Sequence, residues 1–160
     1  MLAVAPGQSG HPAARTRSGE LRDLTGTWIS VSDKNATDVA TASQLPNALL
    51  KISAGDDKVS IERSWSGPAI PATFVCDGRE NTNGYSIVVE RTTCRWDASE
   101  AGRLIIEGSI GRANGTVTGR LRERYWVDAG DGLTVERSRE VFSLKRGPTI
   151  TTSRYRRVPS

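Results

Sequence analysis

The chain has a single histidine, His11, and it sits in a Pro/Gly-rich stretch near the N-terminus. From residue 23 onward there is none, which excludes a Ser/His/Asp nucleophile system in the folded part. Only two cysteines occur, Cys76 and Cys94. Two thiolates and one remote imidazole cannot build a metal site, and nothing in the sequence asks for a cofactor. No Gly-rich phosphate loop opens into a helix, and no run of about 20 apolar residues exists to cross a membrane as a helix. Aromatic residues make up only 6% of the chain and hydrophobic residues 36%, low for a globular protein. So few apolar side chains have to be placed on one side of each element. An antiparallel sheet curled on itself does that; a parallel sheet covered on both faces does not.

What is present is turn chemistry and strand chemistry. Residues 1–22 hold Pro6, Gly7, Gly10, Pro12 and Gly19 with scattered arginines and no apolar periodicity. That composition cannot offset its ordering entropy, so a disordered leader is expected, followed by one domain over 23–158. Met1-Leu-Ala-Val-Ala-Pro6 resembles the end of an export signal whose basic region and most of whose apolar core are missing. The alternative is a cytosolic protein with a polar tail. Order is expected from Leu24 to Val31; residues 33–46 read as one short helical turn or a lid-like loop ending at Pro46.

Strand and turn then alternate. Leu49–Ser53, Val59–Trp65 and Ala72–Cys76 are separated by Gly55-Asp-Asp and Gly67-Pro68. Asp77-Gly78 through Asn83-Gly84 reads as a turn, leading into one strand over Tyr85–Trp96. Arg103–Ile110, Thr116–Val127, Leu133–Leu144 and Ile150–Val158 follow. The expectation is all-β: an antiparallel up-and-down meander of about eight to ten strands, closed or nearly closed into a barrel. Closure also removes exposed edges.

Side chains alternate across a strand, so each strand divides into two faces. Val59, Ile61, Arg63 and Trp65 share an apolar face. Val117, Leu121, Tyr125 and Val127 share another, and it carries Glu123, while Arg120, Arg122 and Arg124 lie opposite. Leu133, Val135, Arg137, Arg139 and Val141 compete with Glu136, Glu140 and Phe142, and a bulge would switch them. Over Tyr85–Trp96, Ile87, Val89 and Arg91 stand against Val88, Glu90 and Trp96, and either set fits the inside. The inward polar set is then Arg63, Glu123, Tyr125 and Arg137, with Arg91 and Arg139 as further members. One carboxylate against several guanidinium groups leaves positive charge for a ligand carboxylate or phosphate, which arginine pairs bidentately; Trp65 and Tyr125 supply an apolar wall. The competing reading is an exposed sheet face of ordinary Arg–Glu cross-strand pairs.

Cys76 and Cys94 flank the turn-rich stretch. A bridge would close a loop of about 17 residues and stabilise the chain by roughly 3 kcal/mol; two buried thiols in a reducing compartment are the alternative. The net charge is +4, too mild to indicate nucleic acid, and only Arg154-Tyr-Arg-Arg157 interleaves cations with an aromatic ring.

Gly26-Thr27-Trp28 at the first strand resembles the Gly-x-Trp signature of lipocalins and their calycin-type relatives. Glu123-Arg-Tyr-Trp-Val-Asp-Ala-Gly-Asp-Gly-Leu-Thr-Val-Glu-Arg137 resembles a hairpin of exported bacterial lipocalin-like proteins of unassigned function. The resemblance implies a lipocalin-like barrel plugged at one end by Trp28, with Arg154 or Arg156 of the last strand packed across it. Avidin-type barrels also begin Gly-Thr-Trp, but their further tryptophan pattern is missing. A haem-binding barrel of the nitrobindin kind needs a histidine that this domain lacks. The resulting expectation is an exported, monomeric binding protein for a small, partly apolar and anionic molecule. The alternative is a cofactor-free barrel enzyme of cyclase or isomerase type, with Glu123 as base and Tyr125 as electrophilic partner.

Overall fold

A computed structural model describes residues 24–31, 48–55, 57–64, 67–100 and 102–160. The expected leader, the 33–46 stretch and Trp65 lie outside these residues. Among the described residues ten strands follow one another: β1 (Gly26–Ser30), β2 (Leu49–Ala54), β3 (Lys58–Ser64), β4 (Ile70–Val75), β5 (Glu80–Tyr85), β6 (Val88–Trp96), β7 (Leu104–Arg112), β8 (Val117–Val127), β9 (Leu133–Val141) and β10 (Thr149–Arg157). All pairings are antiparallel, in the order β4-β3-β2-β1-β10-β9-β8-β7-β6-β5. Because β1 pairs with β10, the meander wraps around on itself and leaves β4 and β5 as the two ends of a nearly closed barrel. The expected all-β meander is therefore what the chain forms.

The seam between β4 and β5 is closed by side chains. Asn81 accepts from the Val75 N–H at 2.7 Å and donates to the Val75 carbonyl at 3.0 Å. Asn83 does the same with Thr73, at 3.2 and 3.3 Å. An asparagine amide presents one acceptor and two donors, as a peptide group does, so two of them at i and i+2 stand in for a strand ladder. This corrects the expectation of a turn from Asp77 to Gly84. Residues 80–85 form a strand, and the turn contracts to Asp77–Arg79, where Asp77 accepts from the Arg79 N–H at 3.0 Å. The single strand expected over Tyr85–Trp96 is likewise broken at Ser86, whose φ is 58°.

Cys76, just past β4, is bonded to Cys94 in β6, which ties the end of the sheet past β5 to the next strand. The core fills the barrel end nearest this bridge, with Trp28, Ile52, Val59, Phe74, Leu104 and Leu133 essentially without solvent contact. Trp28 Nε1 donates to the Leu24 carbonyl at 3.1 Å, and the Arg157 guanidinium lies 4.1 Å from its ring centroid. Arg157 also donates to the Thr25 carbonyl at 2.7 Å. The arginine across Trp28 is therefore Arg157, not Arg154 or Arg156. The β1–β10 register sets Trp28 opposite Arg157, and period-2 alternation turns Arg154 and Arg156 outward, where both are exposed. Gly26 makes room: a Cβ there would stand 2.6 Å from Arg157 Nη1.

Candidate functional site

Charge occupies the opposite half of the barrel. On β8, Leu121, Glu123 and Tyr125 alternate inward and are buried, while Arg120 and Arg122 are exposed. The outward arginines find partners on their own sheet face: Arg122 and Arg95 pair with Glu107, and Arg124 with Glu136. Directly opposite Glu123 on β9 stands Arg137, whose Nε donates to Glu123 Oε1 at 2.7 Å. Arg63 reaches across the interior from β3, donating through Nη2 to Glu123 Oε2 at 2.7 Å and to the Tyr125 hydroxyl at 2.6 Å. The Tyr125 hydroxyl completes the cluster by donating to Glu123 Oε2 at 2.5 Å.

These contacts decide the protonation states. Burial pushes the Glu123 carboxyl upward, but the Arg63 and Arg137 charges and the Tyr125 hydroxyl outweigh it and hold the pKa at about 2. Burial raises the Tyr125 hydroxyl above its ordinary range, and the Glu123 charge adds to this against Arg63, so it remains a donor. Burial opposes the Arg63 charge, yet Glu123 and Tyr125 overcome it and the guanidinium stays protonated. A carboxylate acting as general base works best with its pKa raised towards the working pH. The carboxylate is desolvated but clamped in its ionised form, which makes it a feeble base.

Beside the cluster is a cavity of about 250 Å³. Ile70, Val88, Ile110 and Leu121 form its apolar wall; Arg63, Tyr85, Glu90, Glu123, Arg137 and Arg139 form its polar one. It lies towards the end carrying the β3–β4, β5–β6, β7–β8 and β9–β10 connections, away from Trp28. Of the residues expected in a site, the structure brings together Arg63, Glu123, Tyr125 and Arg137, with Arg139 at the cavity's edge. Arg91 is a correction. It shares a face with neither Glu90 nor Cys94, stands cross-strand from Thr82 and Ser109, and takes no part in the cavity.

Tyr85 and Glu90 belong to the site and were not singled out from sequence. The signal was there, since Glu90, Thr92 and Cys94 share parity, and a bridge from Cys94 to Cys76 commits that face to the interior. Burial raises the Glu90 carboxyl, and repulsion from Glu123 adds to this against the pull of Arg63.

No family model matches the sequence, and no curated protein is significantly similar to it. Solved structures are similar in shape. The REP1-NXSQ fatty acid transporter aligns with a TM-score of 0.56 at 19% identity over 87% of this chain and 98% of its own. The zebrafish ileal bile acid-binding protein complexed with cholic acid gives 0.58 at 12% identity, over 85% and 99%. A secretory abundant heat soluble protein from Ramazzottius varieornatus gives 0.56 at 16% identity, over 85% and 96%. At these identities the likeness concerns the backbone alone: the chain shares with these structures a nearly closed antiparallel barrel, here in the ten-strand order given above.

Proposed function

We propose that the barrel binds a small molecule with an apolar body and an anionic group, and that the protein works as an exported monomer. The carrying observation is the cavity, with an apolar wall on one side and two guanidinium groups sharing one carboxylate on the other. Arg137 spends only Nε on Glu123 and its side chain keeps 42% of its exposure, so its Nη fork is available to an incoming carboxylate. Proteins of similar shape are named for fatty acid transport and for binding cholic acid.

The Cys76–Cys94 bridge supports an oxidising compartment. Both sheet ends are engaged with each other through Asn81 and Asn83, which leaves little free edge for a second chain and supports a monomer. A nucleic-acid surface is disfavoured because the acidic outer face of β9, with Glu136 and Glu140, separates the β8 arginines from Arg154 and Arg156. Among the described residues no helix is long and apolar enough to cross a membrane.

Calorimetric titration with 3-phenylpropanoate and its alcohol, 3-phenylpropan-1-ol, tests the reading. The acid is expected to bind about tenfold or more tightly than the alcohol, and Arg137→Met is expected to remove the difference. Equal affinities would refute the anionic preference, and silence from both would refute binding of this class.

A further inference from the structure

Once Glu123 has satisfied Arg63, Arg137 and Tyr125, three polar groups on the cavity wall remain unanswered. Among the described residues Arg63 Nε and the Tyr85 hydroxyl are buried and make no hydrogen bond of good geometry, although, against the raising effect of burial, Arg63 stands close enough to Tyr85 to draw its pKa down. The Glu90 carboxylate lines the same cavity with no hydrogen bond or ion pair to any protein group among the described residues. Buried polar atoms left in this state are costly, and native interiors rarely tolerate them unless a bound molecule or water supplies the partner. Arg63 offers a donor, Glu90 seeks a donor, and Tyr85 serves as either. A ligand carrying only a carboxylate and hydrocarbon answers the arginines and leaves Glu90 facing apolar atoms.

Size narrows the ligand further. The cavity measures about 250 Å³, which points to a small occupant. Drug-sized ligands occupy cavities from roughly 300 Å³ upward.

We infer that the occupant is a compact hydroxylated acid: a carboxylate for the Arg63–Arg137 end, an apolar body of about one ring, and a hydroxyl donated to Glu90 and shared with Tyr85. This rests on the binding role proposed above and specifies the ligand class within it. A site built to bond a hydroxyl discriminates strongly against the analogue lacking it, because the protein's own polar groups are then left unpaired.

The test is calorimetry on the full chain with 3-phenylpropanoate, its three ring-hydroxylated isomers and hexadecanoate, repeated on Glu90→Gln and Tyr85→Phe. At least one hydroxylated isomer is expected to bind about 30-fold more tightly than 3-phenylpropanoate, and hexadecanoate is expected to leave it undisplaced. In either variant the affinity ratio of hydroxylated to unsubstituted acid is expected to fall to within about threefold. The ratio in the unsubstituted protein needs no variant to fold. Binding of 3-phenylpropanoate with no gain from any hydroxyl would overturn this inference and leave the anionic-ligand reading intact. Displacement by hexadecanoate at equal or higher affinity would overturn the size limit, and failure of every acid to bind would remove both readings.

Discussion

At the residue scale the molecule turns on Glu123. Its side chain keeps 10% of its exposure and Arg63 keeps 13%, so removing the carboxylate charge strands a buried guanidinium. Breaking such a pair from one side costs roughly 3–5 kcal/mol. Arg137, at 42% side-chain exposure, recovers part of its loss from water. Glu123→Gln is therefore expected to lower unfolding stability by about 3 kcal/mol in urea titration. The pH dependence has a definite sign. Glu123 titrates near 2 in the folded barrel against an ordinary 4.5, so the folded state binds fewer protons in that window. Its contribution is fully present above about pH 4.5 and is lost as pH falls towards 2. Glu90 runs the other way: its raised pKa means the folded state prefers the proton, so its contribution fades as pH rises above 4.5. Urea midpoints from pH 7 to 2.5 should fall steeply for the native protein and less for Glu123→Gln. An equal slope in both would show that Glu123 is not the group responsible.

At the scale of elements the instructive strand is β5. Its sequence, Glu-Asn-Thr-Asn-Gly-Tyr, has the composition of a turn, and local propensity alone reads it so. The strand exists because Asn81 and Asn83 bond the β4 backbone on one side while the chain pairs with β6 on the other. Replacing both by alanine is expected to cost about 1 kcal/mol for each amide lost. It should also speed hydrogen exchange at the Thr73 and Val75 amides while those of the β1–β10 pair stay protected. Unchanged exchange at Thr73 and Val75 would mean that the asparagines do not close the seam. Arg157 gives a second test at this scale: Arg157→Ala removes the cation over Trp28 and the bond to Thr25. A loss of about 1–2 kcal/mol is expected, with little effect from Arg154→Ala or Arg156→Ala.

At the scale of the whole molecule, two closures make the barrel. The β1–β10 pairing joins the extremes of the described chain, and the Cys76–Cys94 bridge joins positions 18 apart around the free end of the sheet. In the chain-entropy account a loop of this size stabilises the fold by about 3 kcal/mol. The double variant Cys76→Ser/Cys94→Ser is expected to lose about that much in urea titration. It should keep its far-ultraviolet strand signature, because the hydrophobic core around Trp28 and Phe74 remains. The charged half depends less on the bridge than on β3, β8 and β9, so binding of 3-phenylpropanoate should persist.

What the sequence determined by itself is parity. Alternation has a period of two and is local, so Val59-x-Ile61-x-Arg63 and Leu121-x-Glu123-x-Tyr125 each share a face in any fold that makes these segments regular strands. Low apolar content and recurrent turns then made a curled antiparallel sheet the economical solution. Partners and volumes were decided only by the tertiary structure. Arg157 is chosen over Arg154 and Arg156 by the β1–β10 register, a pairing between strands far apart in sequence. Glu90 is turned inward and Arg91 outward because Cys94, on the parity of Glu90, meets Cys76. The turn-like β5 becomes a strand by bonding a neighbour's backbone. The cavity beside Arg63 is a remainder left by seven strands, β3 to β9, packed together, and no local pattern encodes a sum of that kind.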